Sequence, residues 1–238
     1  MIPKVIHYCW FGNNKKTQEI LDCIETWKKF CPEYQLIEWN ESNFDVHSNK
    51  YVEQAYAAKK WAFVADYVRL YAIYNYGGIY MDTDVEVVQS LDRFLKHKGF
   101  TGFEIAEHPL TGTMGCEKGN ELIKKVLNKY QNRSFVNDDG SFDLTTNIIP
   151  FKNICLGYGF EMNNEYQVKD GFVLYPNDYF CAYNFDNKTF VKTKNTYTIH
   201  HFVGSWIPKR QKIRRKIRKL LGNRISGIIS SFIRRMKN

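Results

Sequence analysis

Asp82-Thr83-Asp84 is where residue type and spacing in this 238-residue chain point most directly to chemistry. The triplet separates two apolar runs, Ile79-Tyr80-Met81 and Val85-Glu86-Val87-Val88, at a place where a sheet edge can open to a ligand. In extended backbone, side chains alternate, so residues 82 and 84 face the same way. Two carboxylates aimed at one point repel unless a cation sits between them, and Mn²⁺ or Mg²⁺ takes such oxygen ligands. A pair of solvated turn residues is the plain alternative, and the pair alone does not decide between them.

Two further groups bear on that choice. Asp66 and Arg69 are three residues apart, hence on one face of a helix that is otherwise apolar and aromatic. A buried acid and base need partners: either each other, or a polyhydroxylated anionic ligand gripped by the arginine fork and the carboxylate. Gly77-Gly78, just after that helix, would let backbone approach such a ligand closely. Near the C-terminal end, Thr198 to Trp206 contains His200-His201. Neighbouring residues of a strand point to opposite faces, so at most one of the two joins a given site. A neutral imidazole there completes mixed oxygen and nitrogen coordination of Mn²⁺, while a surface or capping pair is the other reading.

The elements that must carry these groups follow from periodicity. Lys4–Trp10 reads as a buried strand, Thr17–Phe30 as a helix with Ile20, Leu21, Ile24 and Trp27 at helical spacing, and Tyr34–Trp39 as a second strand. Lys59–Tyr76 is the longest helix, ended by Gly77-Gly78. A helix is expected near Glu121–Tyr130, with strands near Phe172–Tyr175 and Thr196–Phe202. The β-α-β opening is typical of a layered α/β domain with parallel strands.

Composition limits the function classes. Of the 34 Lys and Arg, twelve fall between Lys209 and Asn238, where there is no Asp or Glu; the other 22 face 25 acidic residues. The formal +9 is therefore a +12 tail on a body of net −3, which argues against a nucleic-acid surface spread over the body. Aromatic content of 16% supplies flat stacking surfaces for sugars or bases, and equally a Tyr-rich core. The six cysteines form no Cys-x-x-Cys pair or zinc spacing, and reduced thiols in a cytosol are expected. Met1-Ile2-Pro3-Lys4 runs into a strand with no signal-peptide pattern, and Ile225–Ile233 is too short to span a bilayer.

Taken together, four blocks in order resemble glycosyltransferase family 32: Ile2-Pro3-Lys4-x-Ile6-His7-x-x-Trp10-Phe11-Gly12; Ala62-Phe63-x-x-Asp66-x-x-Arg69-x-x-x-Ile73-Tyr74; Gly77-Gly78-Ile79-Tyr80-x-Asp82-x-Asp84-Val85; and His200-His201-x-x-x-Ser205-Trp206. The resemblance spans residues 1–208, and the large clostridial glucosylating toxins carry a similar catalytic core. It implies an α/β, GT-A type, single Rossmann-like catalytic domain over 1–208 with a mixed, mostly parallel central sheet; beyond it, charge and hydrophobic spacing read 209–238 as a basic amphipathic helical tail. It implies that Trp10 stacks on the nucleotide base, that Asp66 and Arg69 bind donor-sugar hydroxyls, and that Tyr80 supports the ribose or phosphate. Asp82 would contact ribose and metal, Asp84 the cation directly, and Ser205 and Trp206 the diphosphate. Asp143 and Asn147, in an Asp-Gly-x-x-Asp-x-x-x-Asn stretch from Asp139, would face donor sugar or acceptor. His201-Phe202-Val203-Gly204 is similar to a metal-closing His-x-x-Gly of other nucleotide-sugar transferases, which favours His201 over His200. The toxins use an acidic residue near that point, so the ligand assignment stays open here.

The implied chemistry is retaining transfer from a nucleotide sugar, a UDP-sugar first and GDP-mannose as the alternative, with Mn²⁺ or Mg²⁺ stabilising the departing diphosphate. The acceptor is a saccharide, lipid-linked by expectation, as in capsular, exopolysaccharide or lipopolysaccharide synthesis. No residue stands out as a covalent nucleophile, so one-step and two-step routes both stay open. A haloacid-dehalogenase-like phosphatase also uses Asp-x-Asp after a strand, but Glu86 occupies its usual Thr/Val position and the pair lies far from the N-terminus. A non-catalytic binding module driven by the tail is the alternative of another class. In that tail Ile213, Ile217, Leu220, Leu221, Ile225, Ile228, Ile229 and Phe232 recur at three- and four-residue steps, as in an interfacial amphipathic helix. The combined expectation is a cytoplasmic enzyme, peripheral at the inner face of the cell membrane, that binds an anionic lipid surface and no nucleic acid.

Overall fold

Strand β1 (Val5–Cys9) shows how the two faces of the sheet are made. Ile6 and Tyr8 join one apolar core and Cys9 packs against the other, as strand alternation requires. The computed structural model describes residues 1–184 and 189–204, within which Met1–Phe202 make one compact unit. The expected boundary at residue 208 and the tail 209–238 lie outside the described residues.

After β1 the chain runs through α1 (Gln18–Phe30), β2 (Gln35–Trp39), α2 (Lys50–Ala57), α3 (Trp61–Tyr76), β3 (Gly78–Met81) and β4 (Val85–Val87). It continues with the β5 (Gly99–Ile105) and β6 (His108–Cys116) hairpin, α4 (Glu121–Asn128), α5 (Ile148–Gly157), β7 (Gln167–Lys169) and β8 (Phe172–Tyr175). Last come α6 (Asn177–Phe180), a two-strand pair of β9 (Tyr183–Asn184) with β10 (Thr189–Phe190), and β11 (Thr198–His200). The central sheet has seven strands in the order β2-β1-β3-β6-β5-β8-β7. Five of them run the same way and β6 and β7 run against them, so the sheet is mixed with a parallel majority of strands. β11 pairs antiparallel with β4 outside this sheet, with His200 opposite Val85.

Helices cover both faces. One core gathers α2, α3, α4 and α5 over the sheet; the other takes α1, β4 and α6. In α1 the buried residues Ile20, Cys23, Ile24 and Trp27 form one stripe at helical spacing. Trp27 Nε1 donates to Val85 O at 2.7 Å, and Val87 N donates to Thr26 Oγ1 at 2.9 Å, which fixes β4 to the helix. Helix α3 is apolar nearly all round because it is buried nearly all round, against the sheet and against α2 and α4.

The turn from α3 into β3 aims the Asp82 segment. Gly77 (φ 70°) and Gly78 (φ 108°) take the left-handed conformations that end the helix. A side chain on Gly77 would meet Pro3 and the Lys118 backbone, and one on Gly78 would meet Val5 O at 2.8 Å. The two glycines therefore serve close backbone packing against β1 and Lys118, and the expectation that they approach a ligand is corrected. His7, fully buried, spans the same turn: Nε2 donates to Gly77 O at 2.8 Å, and Nδ1 accepts from Trp39 Nε1 at 3.1 Å. Burial lowers its pKa and the Gly77 bond only partly opposes that, so His7 is a neutral ring pinned between β1, β2 and the turn.

Periodicity placed β1, α1, β2, α3, α4, β8 and β11 to within a few residues. The sequence reading did not place α2, α5 or the β5/β6 hairpin, although the hairpin supplies two central strands. Gly78→Ala combines a left-handed conformation with a backbone clash and should destabilise the protein by about 2–4 kcal/mol. Gly119→Ala, at φ 76° with open space around it, should cost only about 1 kcal/mol. Urea unfolding of both variants checks this, and equal losses would contradict the packing role of Gly78.

Candidate active site

Arg69 is buried in the middle of α3, and each nitrogen of its guanidinium faces a protein acceptor. Nε donates to Ala65 O at 3.2 Å, and Nη1 donates to Thr111 O at 2.8 Å and Thr111 Oγ1 at 3.3 Å. Nη2 lies 3.3 Å from Asp66 Oδ1 and 3.2 Å from Asp82 Oδ1. The planar group also stacks 4.7 Å from the centre of the Tyr80 ring. Burial by itself would disfavour the charge, but Asp82, Tyr80 and Asp66 more than offset it, and the guanidinium pKa is raised. Here the Arg69 fork ties α3 to the Asp82 segment and to β6, and its expected part in binding donor-sugar hydroxyls stays a proposal.

Asp66 shares this network. Its Oδ2 accepts from the Asn147 backbone amide at 3.2 Å, at the N-terminus of α5, and Thr111 Oγ1 donates to Asn147 Oδ1 at 3.0 Å. Burial pushes the Asp66 carboxyl up to about 6, against the lowering effects of Arg69 and the Asn147 amide. Asp66, Arg69 and Asn147 are thus brought together in one buried cluster. Asp143 is not part of it: its carboxylate pairs with Arg133 at 2.8 Å and caps the Thr145 amide.

Asp82-Thr83-Asp84 is a turn rather than the extended segment expected, with Val85 N donating to Asp82 O at 3.0 Å. The two carboxylates nevertheless converge, because β11 brings a histidine between them. His200 Nε2 stands 3.2 Å from Asp84 Oδ1 and 4.0 Å from Asp82 Oδ2. Asp82, Asp84 and His200 each offer one ligand atom within 4.8 Å of the others, the one such trio of acids, histidines and cysteines among the described residues. His201, the expected choice, is not in this trio. Strand alternation sends it the other way, where Nε2 lies 2.9 Å from Glu86 Oε2. Burial alone would lower the His200 pKa, but the bond to Asp84 and the charges of Asp84, Asp82 and Glu104 hold it above its ordinary value.

The donor set fits a divalent cation of the Mn²⁺ or Mg²⁺ class: two carboxylates, one imidazole, and room between them. The room is kept by Gly112 of β6, where a Cβ would stand 2.9 Å from Asp82 Oδ2 and 3.1 Å from the His200 ring. His200 Nδ1 is buried with no hydrogen-bond partner among the described residues, so its ring is oriented by stacking on Phe202, with centroids 4.1 Å apart. Tyr80 OH donates to Asp82 Oδ1 at 2.9 Å, which makes it a support for the acid. Trp10, just past the end of β1, is half-buried, with Nε1 donating to Asn14 O at 2.6 Å and Lys16 over its ring. Ser205 and Trp206 lie outside the described residues. Thr111, Gly112 and Glu104 were missed by the sequence reading, and the available signal was a glycine inside a strand, which marks close approach by other groups.

The proton on Asp66 has a consequence for stability. A native pKa near 6, against 3.8 for an ordinary Asp, means the folded state keeps a proton that the unfolded chain releases first. This group therefore contributes stability at low pH that is lost as pH rises from about 4 to about 6. Relative to Asp66→Asn, wild-type unfolding free energy should fall across that window and level off above it, as measured by urea unfolding at several pH values. A constant difference between the two proteins would refute the raised pKa.

Comparison with known proteins bears on the same residues. Residues 17–101, which include Asp66, Arg69, Asp82 and Asp84, match the family described as glycosyltransferase sugar-binding region containing DXD motif. Inositol phosphoceramide mannosyltransferase 3 of Schizosaccharomyces pombe is 28% identical over 138 residues, covering 53% of this chain and 36% of that protein. The chain thus spans about a third of that relative's length. Among solved structures, PaToxG glycosyltransferase superposes with a TM-score of 0.51 at 20% identity, over 66% of this chain and 68% of its own. The galactosyltransferase LgtC reaches 0.45 at 10% identity, over 84% and 88%. Residues 17–101 are therefore similar to a glycosyltransferase sugar-binding region whose DXD motif falls at Asp82–Asp84, in a chain with a mixed α/β fold of the GT-A type.

Proposed function

We propose that the protein is a divalent-metal-dependent, retaining glycosyltransferase that moves a sugar from a nucleotide-sugar donor, a UDP-sugar by first choice, to a saccharide acceptor. The observation that carries this reading is the convergence of Asp82 and Asp84, inside the matched DXD region, with His200 of β11. Asp82, Asp84 and His200 would hold the cation, which when bound neutralises charge on the departing diphosphate. Arg69 and Tyr80 both engage Asp82 Oδ1, which leaves Oδ2 turned toward His200. Asp66 and Asn147 line the sugar side, Trp10 offers its ring to the base, and Ser205 and Trp206 reach the diphosphate by resemblance. In the one-step form, the acceptor hydroxyl oxygen bonds to the anomeric carbon as the carbon–phosphate oxygen bond breaks, and the hydroxyl proton passes to the leaving phosphate.

The body's net charge of −3 offers no general attraction for a polyphosphate, which supports a requirement for a bound cation. A mannosyl donor, GDP-mannose, is the second reading, favoured by the likeness to a mannosyltransferase. That relative's named lipid substrate also supports a lipid-linked acceptor, and so does the basic amphipathic pattern of 209–238, where each well-placed basic residue adds about 1 kcal/mol of attraction to an anionic surface. Among the described residues no helix is long and apolar enough to cross a membrane. The site of action we infer is the inner face of the cell membrane, in polysaccharide synthesis.

A panel of nucleotide sugars should reveal Mn²⁺-dependent release of UDP or GDP from one donor. Asp84→Asn should reduce that release by at least about 100-fold with an unchanged circular dichroism spectrum. Full activity in the variant, or phosphatase activity in place of nucleotide release, would defeat the assignment. Removing residues 209–238 should free the protein from phosphatidylserine vesicles while donor hydrolysis continues; unchanged vesicle binding would rule out the tether.

A further inference from the structure

Glu104 is a carboxylate beside the candidate site that the roles above leave unused. It lies near the end of β5, half-buried, in a stretch where the β5–β6 register shifts on both sides of Phe103. Such bulges re-aim side chains. The charges of both His200 and Asp82 bear on the Glu104 carboxyl. The fully buried Cys181 thiol also feels the Glu104 charge. Burial pushes the Glu104 carboxyl above the ordinary range, with Asp82 adding to that effect and His200 opposing it.

No described residue makes a hydrogen bond or ion pair with Glu104, whereas Asp66, Asp82 and Asp84 all have partners. The half-buried carboxylate of Glu104 therefore keeps its acceptor positions open to a hydroxyl donor at this end of the sheet. Nor does Glu104 belong to the trio of candidate metal ligands.

Sheet order says what the ligand would be. β1, β3, β6 and β5 are successive neighbours, and β1, β3 and β5 run the same way, so Trp10, Asp82 and Glu104 all lie at one edge of the sheet. Adjacent strands are about 4.8 Å apart, which puts the β5 end roughly 10 Å from the β3 end and on the side away from Trp10. With the base at Trp10 and the diphosphate at Asp82 and Asp84, what remains beyond the cluster is the group that receives the sugar. The geometry points to Glu104 as an acceptor-binding residue, its carboxylate taking a hydrogen bond from a hydroxyl of the incoming saccharide and orienting that acceptor.

This rests on the proposed glycosyl transfer, and the test separates the two. With the donor found by the panel, nucleotide release is measured in water alone and with octyl glucoside, octyl galactoside and octyl mannoside as acceptors. Binding of each glycoside to the protein with Mn²⁺ and nucleoside diphosphate is followed by saturation-transfer NMR. Glu104→Gln should leave release in water within about twofold of wild type. Transfer to the accepted glycoside should fall on the order of 10- to 100-fold, chiefly through acceptor KM, with a matching loss of glycoside binding. Glu104→Asp, which keeps the charge, should restore part of the affinity. Unchanged transfer and binding in Glu104→Gln would overturn the inference, as would equal loss of release in water, which would mark a role in donor cleavage. Donor hydrolysis by wild type with no glycoside bound or accepted would also count against it. No release from any donor would instead refute the proposed function itself.

Discussion

A buried guanidinium organises this molecule. Arg69 cannot stay charged in the interior without anions and carbonyls around it, and the chain supplies them from its own helix, from the turn after β3 and from β6. The result is a division of labour within single carboxylates. Asp82 gives Oδ1 to Arg69 and Tyr80 and turns Oδ2 outward, and Asp66 gives Oδ1 to Arg69 and Oδ2 to the Asn147 amide. An Asp free to rotate would present either oxygen, whereas one held in this way presents one. The arginine thus fixes the acids beside it, whatever further part it takes in ligand binding.

The buried electrostatics are consistent with that view. Three aspartates, one arginine and one histidine with a raised pKa share a small volume, with Glu104 at its margin. Burial makes Asp66 easier to protonate, with Asp82 adding a smaller push, and the acids around His200 favour its charged form. Both responses lessen when a divalent cation supplies the missing charge.

Much of this was legible in the sequence because its carriers are strongly patterned. The Asp66 and Arg69 pair stood out as charges in an apolar helix, and Asp82 and Asp84 as an interruption between apolar runs. What escaped was information with no local signature. Which of His200 and His201 faces the acids depends on the phase of β11 against β4, and that phase is set by pairing rather than by either residue's chemistry. Glu104 directly follows Gly-Phe-Thr-Gly-Phe and Gly112 sits in Leu-Thr-Gly-Thr-Met-Gly, segments too glycine-rich to read as central strands. Their glycines are there because Phe172, Phe100, Asp82 and His200 occupy the space a side chain would need. Likewise, Gly77-Gly78 was read as an opening for a ligand when neighbouring backbone already filled it.

The pairing of β11 with β4 also has a meaning in time. β4 is anchored early, by Trp27 and Thr26 of the first helix, but its partner strand arrives only after the hairpin, α4, α5 and β8 have been made. Contacts between such distant segments form late, because a long intervening chain must be ordered first. A growing chain could therefore complete its core around Arg69 while the two acids of the turn still lacked their imidazole. Closure of this small two-strand ladder, rather than formation of the large sheet, would be the event that turns a folded body into one able to hold a metal ion.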